Sequence, residues 1–197
     1  HNPTKLIFGK DALASLAAEL APYSTIQLVY GSGSIRRFGI YDQVVETLRA
    51  AGKTIVEDSG VMPNPTIEKL REGAQIARDN DVDFILAVGG GSVSDCCKVI
   101  SAQAKLDEDI WELENAKHTF PTEFIPLGTI VTVFGTGSEM NNGAVITHDL
   151  RMNGRNQLVI MPWTEVAVLH HILHHAIRDR QQRVTVKGIR GRCRDGR

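Results

Sequence analysis

One stretch of the chain decides its fold class. It reads Phe84-Ile85-Leu86-Ala87-Val88-Gly89-Gly90-Gly91-Ser92-Val93-Ser94-Asp95. Five apolar residues in a row indicate a strand buried on both faces, as in a parallel sheet covered by helices. The glycines let the backbone turn sharply and approach a ligand closely, and Ser92 is expected to cap the helix that follows. Because a helix N-terminus offers N–H donors and partial positive charge, the stretch predicts a phosphate site.

Strand and helix patterns alternate on both sides of this stretch. Strands are predicted at residues 4–8, 25–30, 54–56, 84–88, 124–127 and 166–169, with a hairpin formed by 144–148 and 157–161. Helices are predicted at 11–20 with Asp11 as cap, 34–52 with Gly52 as the stop, 66–80, about 92–105 and 107–115. Asn64, between two prolines, is expected to be extended. The alternation predicts an α/β fold with a doubly wound, mostly parallel Rossmann-like sheet and helices on both faces.

Composition narrows the class of protein further. The chain has 197 residues, a net charge of −1 and 42% hydrophobic residues, which is typical of a globular protein with one core, or with one domain and an appendage. No apolar run approaches the roughly 20 residues of a membrane span, and the first residues do not resemble a signal peptide, so we expect a cytoplasmic protein without a membrane partner. Adjacent Cys96 and Cys97 are expected to pack beside the glycine turn, with a redox role as the alternative.

A second glycine turn, Gly31-Ser32-Gly33-Ser34, also follows a predicted strand and opens a helix. It is an incomplete dinucleotide fingerprint, because Arg36 stands where the third glycine belongs, and a plain strand-to-helix turn is the alternative. The turn carries no acidic residue to hold a ribose 2′-hydroxyl. Its serines, with Arg36 and Arg37 nearby, suit a 2′-phosphate, which favours NADP over NAD.

Three motifs in register carry a family resemblance. They are Val61-Met62-Pro63-Asn64-Pro65, the glycine stretch of residues 89–95, and Gly135-Thr136-Gly137-Ser138-Glu139-Met140-Asn141. In this order and at these separations they resemble the iron-containing, group III metal-dependent alcohol dehydrogenases, in particular the NADP-dependent butanol dehydrogenase and aldehyde reductase branch. The resemblance runs from about Pro3 to Leu169. Glycerol dehydrogenase and dehydroquinate synthase, from the wider superfamily, fit the third motif less well.

The resemblance implies an activity and a set of cofactor contacts. In that family an α/β domain binds the nicotinamide cofactor, a helical domain binds iron or zinc, and hydride passes between the nicotinamide and a primary alcohol or aldehyde. Carried over by position, it implies Gly31, Gly33 and Ser34 at the adenosine phosphate, Asn64 near the adenosine side, Gly90, Gly91 and Ser92 around the pyrophosphate, Asp95 near the nicotinamide, and Thr132, Thr136 and Ser138 along the cofactor. For Asp95, a solvated acid in the first helical turn is the alternative. The resemblance assigns no catalytic residue and no metal ligand to this sequence.

The resemblance ends near residue 170, where His170-His171 stand in place of the usual Asp-Pro. Residues 176–197 carry 8 Lys/Arg and 2 Asp, and show neither helical periodicity nor the family's metal ligands. We therefore expect a dinucleotide-binding domain at 1–169 and a divergent basic tail at 170–197, disordered or unrelated to the family, which would follow from a shifted or truncated coding sequence. Nucleic-acid binding by the tail is disfavoured because aromatic residues are not interleaved with its charges.

The sequence leaves two questions open: whether the four histidines bind a metal, and whether the chain is an enzyme. His170/His174 and His171/His175 would lie one turn apart on a helix and so suit a metal, but no carboxylate cluster lies nearby in the sequence. For the whole chain we expect a cofactor-binding domain with little or no dehydrogenase activity. The alternative is a non-catalytic nucleotide-binding or self-association module, which would form a homodimer through the surface that the helical domain covers in the family.

Overall fold

The strands that alternate with helices along the sequence assemble into one parallel sheet. The computed structural model describes residues 4–9, 11–119, 121–148, 155–160 and 166–170, the last two ranges as backbone only. The sheet contains β1 (Lys5–Phe8), β2 (Thr25–Gly31), β3 (Thr54–Val61), β4 (Phe84–Gly89), β5 (Leu127–Val131) and β8 (Val166–His170). Their order across the sheet is β1-β8-β5-β4-β2-β3, and every neighbouring pair is parallel. A separate antiparallel hairpin joins β6 (Gly143–His148) to β7 (Arg155–Ile160), as predicted.

Helices cover both faces of the sheet, which confirms the doubly wound α/β prediction. They are α1 (Leu16–Glu19), α2 (Ser34–Arg37), α3 (Ile40–Ala50), α4 (Ile67–Asp79), α5 (Gly91–Gln103) and α6 (Ile110–Asn115). The first three pack on one face and the last three on the other, forming two apolar cores. Successive side chains of β4 enter the two cores in turn, and all six of its residues are buried. This is why the sequence of β4 is continuously apolar.

The predictions for helices and turns were confirmed only in part. Thr66 caps α4 by accepting a hydrogen bond from the Lys69 N–H, and α3 ends before Gly52, whose positive φ of 70° makes it the stop that was predicted. The continuous helix at 34–52 was wrong, because Gly39 adopts a left-handed φ of 70° and separates α2 from α3. The helix at 11–20 is a 3₁₀ turn, Ala12–Ser15, followed by the short α1, and the side chain of Asp11 makes no capping bond.

The predicted strand at 124–127 was also wrong, because β5 begins at Leu127. Pro126 has no N–H to donate to a strand ladder, so it joins β4 only through its carbonyl, which accepts from the Ile85 N–H at 2.9 Å. Residues 128–131, predicted as loop, form the strand, and Gly128 pairs with Leu86. The predicted helix at 107–115 likewise begins only at Ile110, and β3 extends beyond 54–56 to Val61. Asn64 is not extended: its φ of 55° is in the left-handed region, which asparagine tolerates better than most residues.

Cys96 and Cys97 are packing residues, as expected. Both are fully buried in α5 and neither forms a disulfide. Burial raises the pKa of Cys96 to about 12, which suppresses the thiolate that redox chemistry needs. Among the described helices, none is long and apolar enough to cross a membrane. Of the predicted tail, residues 171–197 lie outside the described part of the chain, and with them His171, His174 and His175.

A buried polar network explains why β3 is longer than its sequence suggests. The Lys69 ammonium of α4 lies 2.6 Å from the Asp58 carboxylate of β3, and Gln27 of β2 donates to the same carboxylate at 3.0 Å. Lys69 is 8% exposed and Asp58 is 2% exposed. Burial alone would lower the pKa of Lys69, but its bond to Asp58 outweighs that effect and raises it. The pair thus fixes the polar half of an edge strand to the sheet and to α4.

Replacing Lys69 by Met should destabilise the fold strongly, because it leaves the Asp58 carboxylate buried without its cation. We expect a loss of about 3–5 kcal/mol in the free energy of unfolding, measured by urea denaturation. The matched control is Lys5→Met, which breaks the exposed pair between Lys5 and Glu19 and should cost less than about 1 kcal/mol. Equal losses in the two variants would contradict this account of β3.

Candidate functional site

The parallel register gathers four loops at the carboxyl edge of the sheet. Tyr30 is level with Val88, and Gly89 is level with Val131. The turns that follow β2, β4 and β5 therefore begin side by side, and the loop of residues 62–66 leaves β3 beside them. The connections after β2 and β4 run to opposite sides of this point, since β3 lies beyond β2 and β5 lies beyond β4. In open α/β sheets such a switch point is where ligands bind.

The N-terminus of α5 opens onto this edge. Its capping residue is Gly90 and no side chain caps it, so the predicted cap at Ser92 was wrong: Ser92 is the second residue of the helix. The Gly90 carbonyl accepts hydrogen bonds from the N–H groups of Val93 and Ser94. Helix geometry leaves the N–H groups of Gly91 and Ser92 as donors for a ligand, with the positive end of the helix dipole behind them.

A cavity of 550 Å³ lies in front of this helix end. Its lining comes from the loop after β3, the first turns of α5, the loop after β5 and the start of β6. The lining residues are Asn64, Pro65, Gly91, Ser92, Asp95, Thr136, Ser138, Asn141, Asn142, Gly143 and Val145. The hairpin is attached to the loop after β3 because the Thr147 N–H donates to the Pro65 carbonyl at 2.9 Å. Polar side chains and backbone amides thus surround one concave space.

Asp95 occupies the floor of the cavity and is not the solvated acid considered as the alternative. Its Oδ1 accepts a hydrogen bond from the Ser138 hydroxyl, and its Oδ2 accepts one from the Val145 N–H at 3.0 Å. The Lys98 ammonium lies 3.3 Å from Oδ1. The carboxylate therefore connects α5, the loop after β5 and β6, and its position is fixed from three directions.

Close packing, and not a positive φ angle, is the reason why position 91 needs a glycine. A Cβ built on Gly91 would lie 2.5 Å from the Thr136 hydroxyl oxygen and 2.9 Å from the Thr136 Cβ, closer than side-chain carbons approach in real structures. A Cβ on Gly90 would meet only the Val133 Cβ, at an ordinary 3.6 Å. The loop after β5 thus packs directly against the start of α5, and this contact sets the width of the cavity.

The turn after β2 lies at the same edge but outside the cavity lining. Gly33 has a φ of 131°, which favours glycine, and α2 begins at Ser34. Arg36 is already occupied: its guanidinium lies 3.6 Å from the centre of the Tyr41 ring and 3.2 Å from the Glu57 carboxylate. Hydrogen bonds from Tyr30 and Tyr41 lower the pKa of Glu57. Sequence reasoning missed this acid because it is in β3 and not in the glycine turn.

Six of the eleven predicted cofactor residues line the cavity, and the other five lie beside it. Those lining the cavity are Asn64, Gly91, Ser92, Asp95, Thr136 and Ser138. Gly90 adjoins it as the cap of α5, and Thr132 lies at the edge, where its N–H donates to the Gly89 carbonyl at 2.9 Å. Gly31, Gly33 and Ser34 form the neighbouring turn. Sequence reasoning missed five lining residues, of which the first two belong to the quoted motifs: Pro65, Asn141, Asn142, Gly143 and Val145.

The described residues do not fit an iron or zinc site. No three His, Cys, Asp or Glu side chains within residues 4–9, 11–119 and 121–148 are grouped closely enough to hold a metal ion. The same residues do fit a dinucleotide, because a helix N-terminus free of side-chain caps and a tightly packed glycine turn face a polar cavity.

Comparison with known proteins identifies the family. The sequence profile described as "Iron-containing alcohol dehydrogenase" matches residues 3–167. The chain belongs to the iron-containing alcohol dehydrogenase family. It is 51% identical over 148 residues to the probable NADH-dependent butanol dehydrogenase 1 of Bacillus subtilis, covering 75% of this chain and 38% of that protein. It is 39% identical over 149 residues to the NADPH-dependent aldehyde reductase YqhD of Escherichia coli, with 75% and 38% covered.

Solved structures agree with the family and the fold. The NADH-dependent butanol dehydrogenase A of Thermotoga maritima superposes with a TM-score of 0.80 at 35% identity, over 87% of this chain and 43% of that one. The chain therefore spans less than half the length of these relatives. The family resemblance predicted from the three motifs is confirmed.

In this member of the iron-containing alcohol dehydrogenase family, Gly91→Ala should force Thr136 away from α5. We expect it to lower the free energy of unfolding by about 1–3 kcal/mol, as overpacking does, whereas Gly90→Ala should cost less than about 1 kcal/mol. Urea denaturation measures both. In a Thr136→Gly background the penalty of Gly91→Ala should shrink, because the clashing atoms are gone. A penalty unchanged by Thr136→Gly would show that the contact is not the cause.

Proposed function

We propose that this chain binds a nicotinamide dinucleotide at the carboxyl edge of its sheet and forms the cofactor half of an alcohol dehydrogenase or aldehyde reductase. The N-terminus of α5 gives this proposal its main support, because it faces a polar cavity at the switch point of the sheet. The family profile covers the same part of the chain. A pyrophosphate there would accept hydrogen bonds from the N–H groups of Gly91 and Ser92. A neutral ligand would make little use of the helix dipole.

The other predicted residues take their places along the same edge in this proposal. Gly31, Gly33 and Ser34 would meet the adenosine phosphate, Asn64 the adenosine side, and Thr132, Thr136 and Ser138 the length of the cofactor. Gly90 would let the backbone approach the pyrophosphate. Asp95, fixed from three directions at the cavity floor, would lie near the nicotinamide ribose, where a carboxylate accepts hydroxyl hydrogen bonds.

The cofactor is proposed to be NADP rather than NAD. Relatives of both kinds exist, since the Bacillus protein is described as NADH-dependent and YqhD as NADPH-dependent. The turn after β2 has hydroxyl side chains and no acid, and the nearby Glu57 is held by Tyr30 and Tyr41. Because Arg36 is paired with Glu57, Arg37 is the better candidate to contact a 2′-phosphate.

A bound nicotinamide would accept a hydride from a primary alcohol or donate one to an aldehyde. We propose that the chain as given has little or no such activity by itself. The support is its length, since the matched region corresponds to 38% of the relatives named above. The division into a cofactor domain at 1–169 and a separate segment at 170–197 belongs to the same proposal, and the family profile ends at residue 167.

Fluorescence titration of the purified chain with NADPH and NADH tests the proposal. We expect NADPH to bind at least tenfold more tightly than NADH, which corresponds to about 1.4 kcal/mol. Arg37→Ala should remove most of this preference, because the preference would come from the phosphate contact. The matched control, Arg49→Ala on α3, should leave it unchanged.

Three results would each contradict one part of the proposal. Failure of both dinucleotides to bind the folded chain would refute the cofactor site. Equal affinity for NADH and NADPH would refute the preference for NADP while leaving the site intact. Turnover of butanal with NADPH at an ordinary enzymatic rate by the chain alone would refute the expectation of little activity.

A further inference from the structure

Lys98 is a buried cation that lies behind the candidate site without lining it. It is on α5, one turn after Asp95, and is 5% exposed. Its ammonium lies within hydrogen-bond distance of four oxygen atoms: the Gly143 carbonyl at 2.6 Å, Asn141 Oδ1 at 2.9 Å, the Ser138 hydroxyl at 3.2 Å and Asp95 Oδ1 at 3.3 Å. An ammonium has three N–H donors, so this side chain uses its full donor capacity.

Three of these four acceptors belong to one segment, residues 137–143. The segment is closed on itself, because the Asn141 side chain donates to the Gly137 carbonyl and accepts from the Gly143 N–H. Those bonds give the segment its shape but do not attach it to a helix. The attachment comes from α5: Lys98 bonds to three points of the segment, and Asp95 bonds to Ser138.

The same segment forms a wall of the cavity. Ser138, Asn141, Asn142 and Gly143 all line it. Charge-assisted hydrogen bonds are roughly twice as strong as neutral ones, so the ammonium is a strong attachment for a loop in which Met140 is the one large apolar residue. A Met side chain of similar size would fill the space behind the wall but would remove the ammonium from all three oxygen acceptors, leaving Asn141 Oδ1 with only the Gly143 N–H.

Lys98 also offsets a negative charge at the cavity floor. Asp95 faces the cavity, and an unpaired carboxylate there would repel an anionic ligand. Two charged groups face Lys98: Asp95 on its own helix, and Glu139 in a second 3₁₀ turn, Ser138–Met140. Burial lowers the pKa of Lys98, and both carboxylates oppose that effect.

We propose that Lys98 is a positioning residue: it holds residues 137–143 against α5 and neutralises Asp95, so that the cavity keeps the shape and charge that bind an anionic dinucleotide. The identity of the ligand rests on the proposed function. The attachment of the loop does not, and it can be tested without any ligand.

Amide hydrogen exchange on the ligand-free 197-residue chain tests the attachment. In Lys98→Met, the amides of residues 138–145 should exchange at least tenfold faster, while those of β4 should keep their protection. The matched control is Lys105→Met, which changes an exposed lysine just beyond the end of α5 and should leave the loop unchanged. Unchanged loop exchange in Lys98→Met would overturn the proposal.

NADPH titration tests the consequence for binding. Lys98→Met should weaken NADPH affinity at least tenfold, and Lys105→Met should not change it. In Lys98→Ala, added propylammonium should restore both loop protection and NADPH affinity, because it replaces the missing methylenes and the charge. Propanol, of the same length but neutral, should restore neither.

The outcomes separate the two proposals. If the wild-type chain does not bind NADPH, the proposed function fails, and the exchange and amine-rescue measurements still decide the role of Lys98. Equal rescue by propanol and propylammonium would show that Lys98 acts by filling space, and would overturn the positioning role. Rescue by propylammonium alone would support it even if Lys98→Met does not fold.

Discussion

The parallel pairing of β4 with β2 and β5 is the constraint on which the rest of the structure depends. Because Val88 is level with Tyr30 and Gly89 with Val131, three glycine-containing loops begin at one edge of the sheet. A shift of one residue would also move every β4 side chain into the wrong core. The apolar packing that fixes the register on both faces therefore also fixes the candidate site, although no residue of the two apolar cores lines the cavity.

Two buried lysines attach polar segments that apolar packing does not hold in place. Lys69 holds the polar half of β3 through Asp58, and Lys98 holds the loop after β5 through the oxygens of residues 138–143. Each is on a helix that packs against the sheet, so each transfers the rigidity of the core to a segment with few apolar side chains of its own. Both depend on a carboxylate one element or one turn away, since an unpaired buried cation would be costly.

The sequence predicted the parts of the fold that local patterns determine. The apolar run of β4, the helix predicted at 66–80 and the glycine stop after α3 all follow from short-range rules, and the alternation of elements then gives the doubly wound sheet. Predictions failed where one residue decides a boundary: Gly39 divides a helix, Pro126 delays β5, and a glycine rather than Ser92 caps α5.

The candidate site was predictable as far as its motifs extend. Ser138 and Asp95 were both expected near the cofactor, but their mutual contact joins residues 43 positions apart, and so does that of Lys98 with Asn141. A lysine inside a helix is usually exposed, so nothing local distinguishes Lys98 from Lys105. Only the packing of the loop after β5 against Gly91 shows which side chains meet.

The central claim is that a dinucleotide lies across the carboxyl edge of this sheet, with its pyrophosphate at the start of α5. Backbone amide NMR of the labelled chain during titration with NADPH tests it most directly. The account predicts that chemical shifts change at residues 31–34, 90–95 and 132–145, and stay constant at the opposite edge, around Tyr23 and Lys53. Changes confined to that opposite edge, or to the surface of α3 around Glu46, would contradict it.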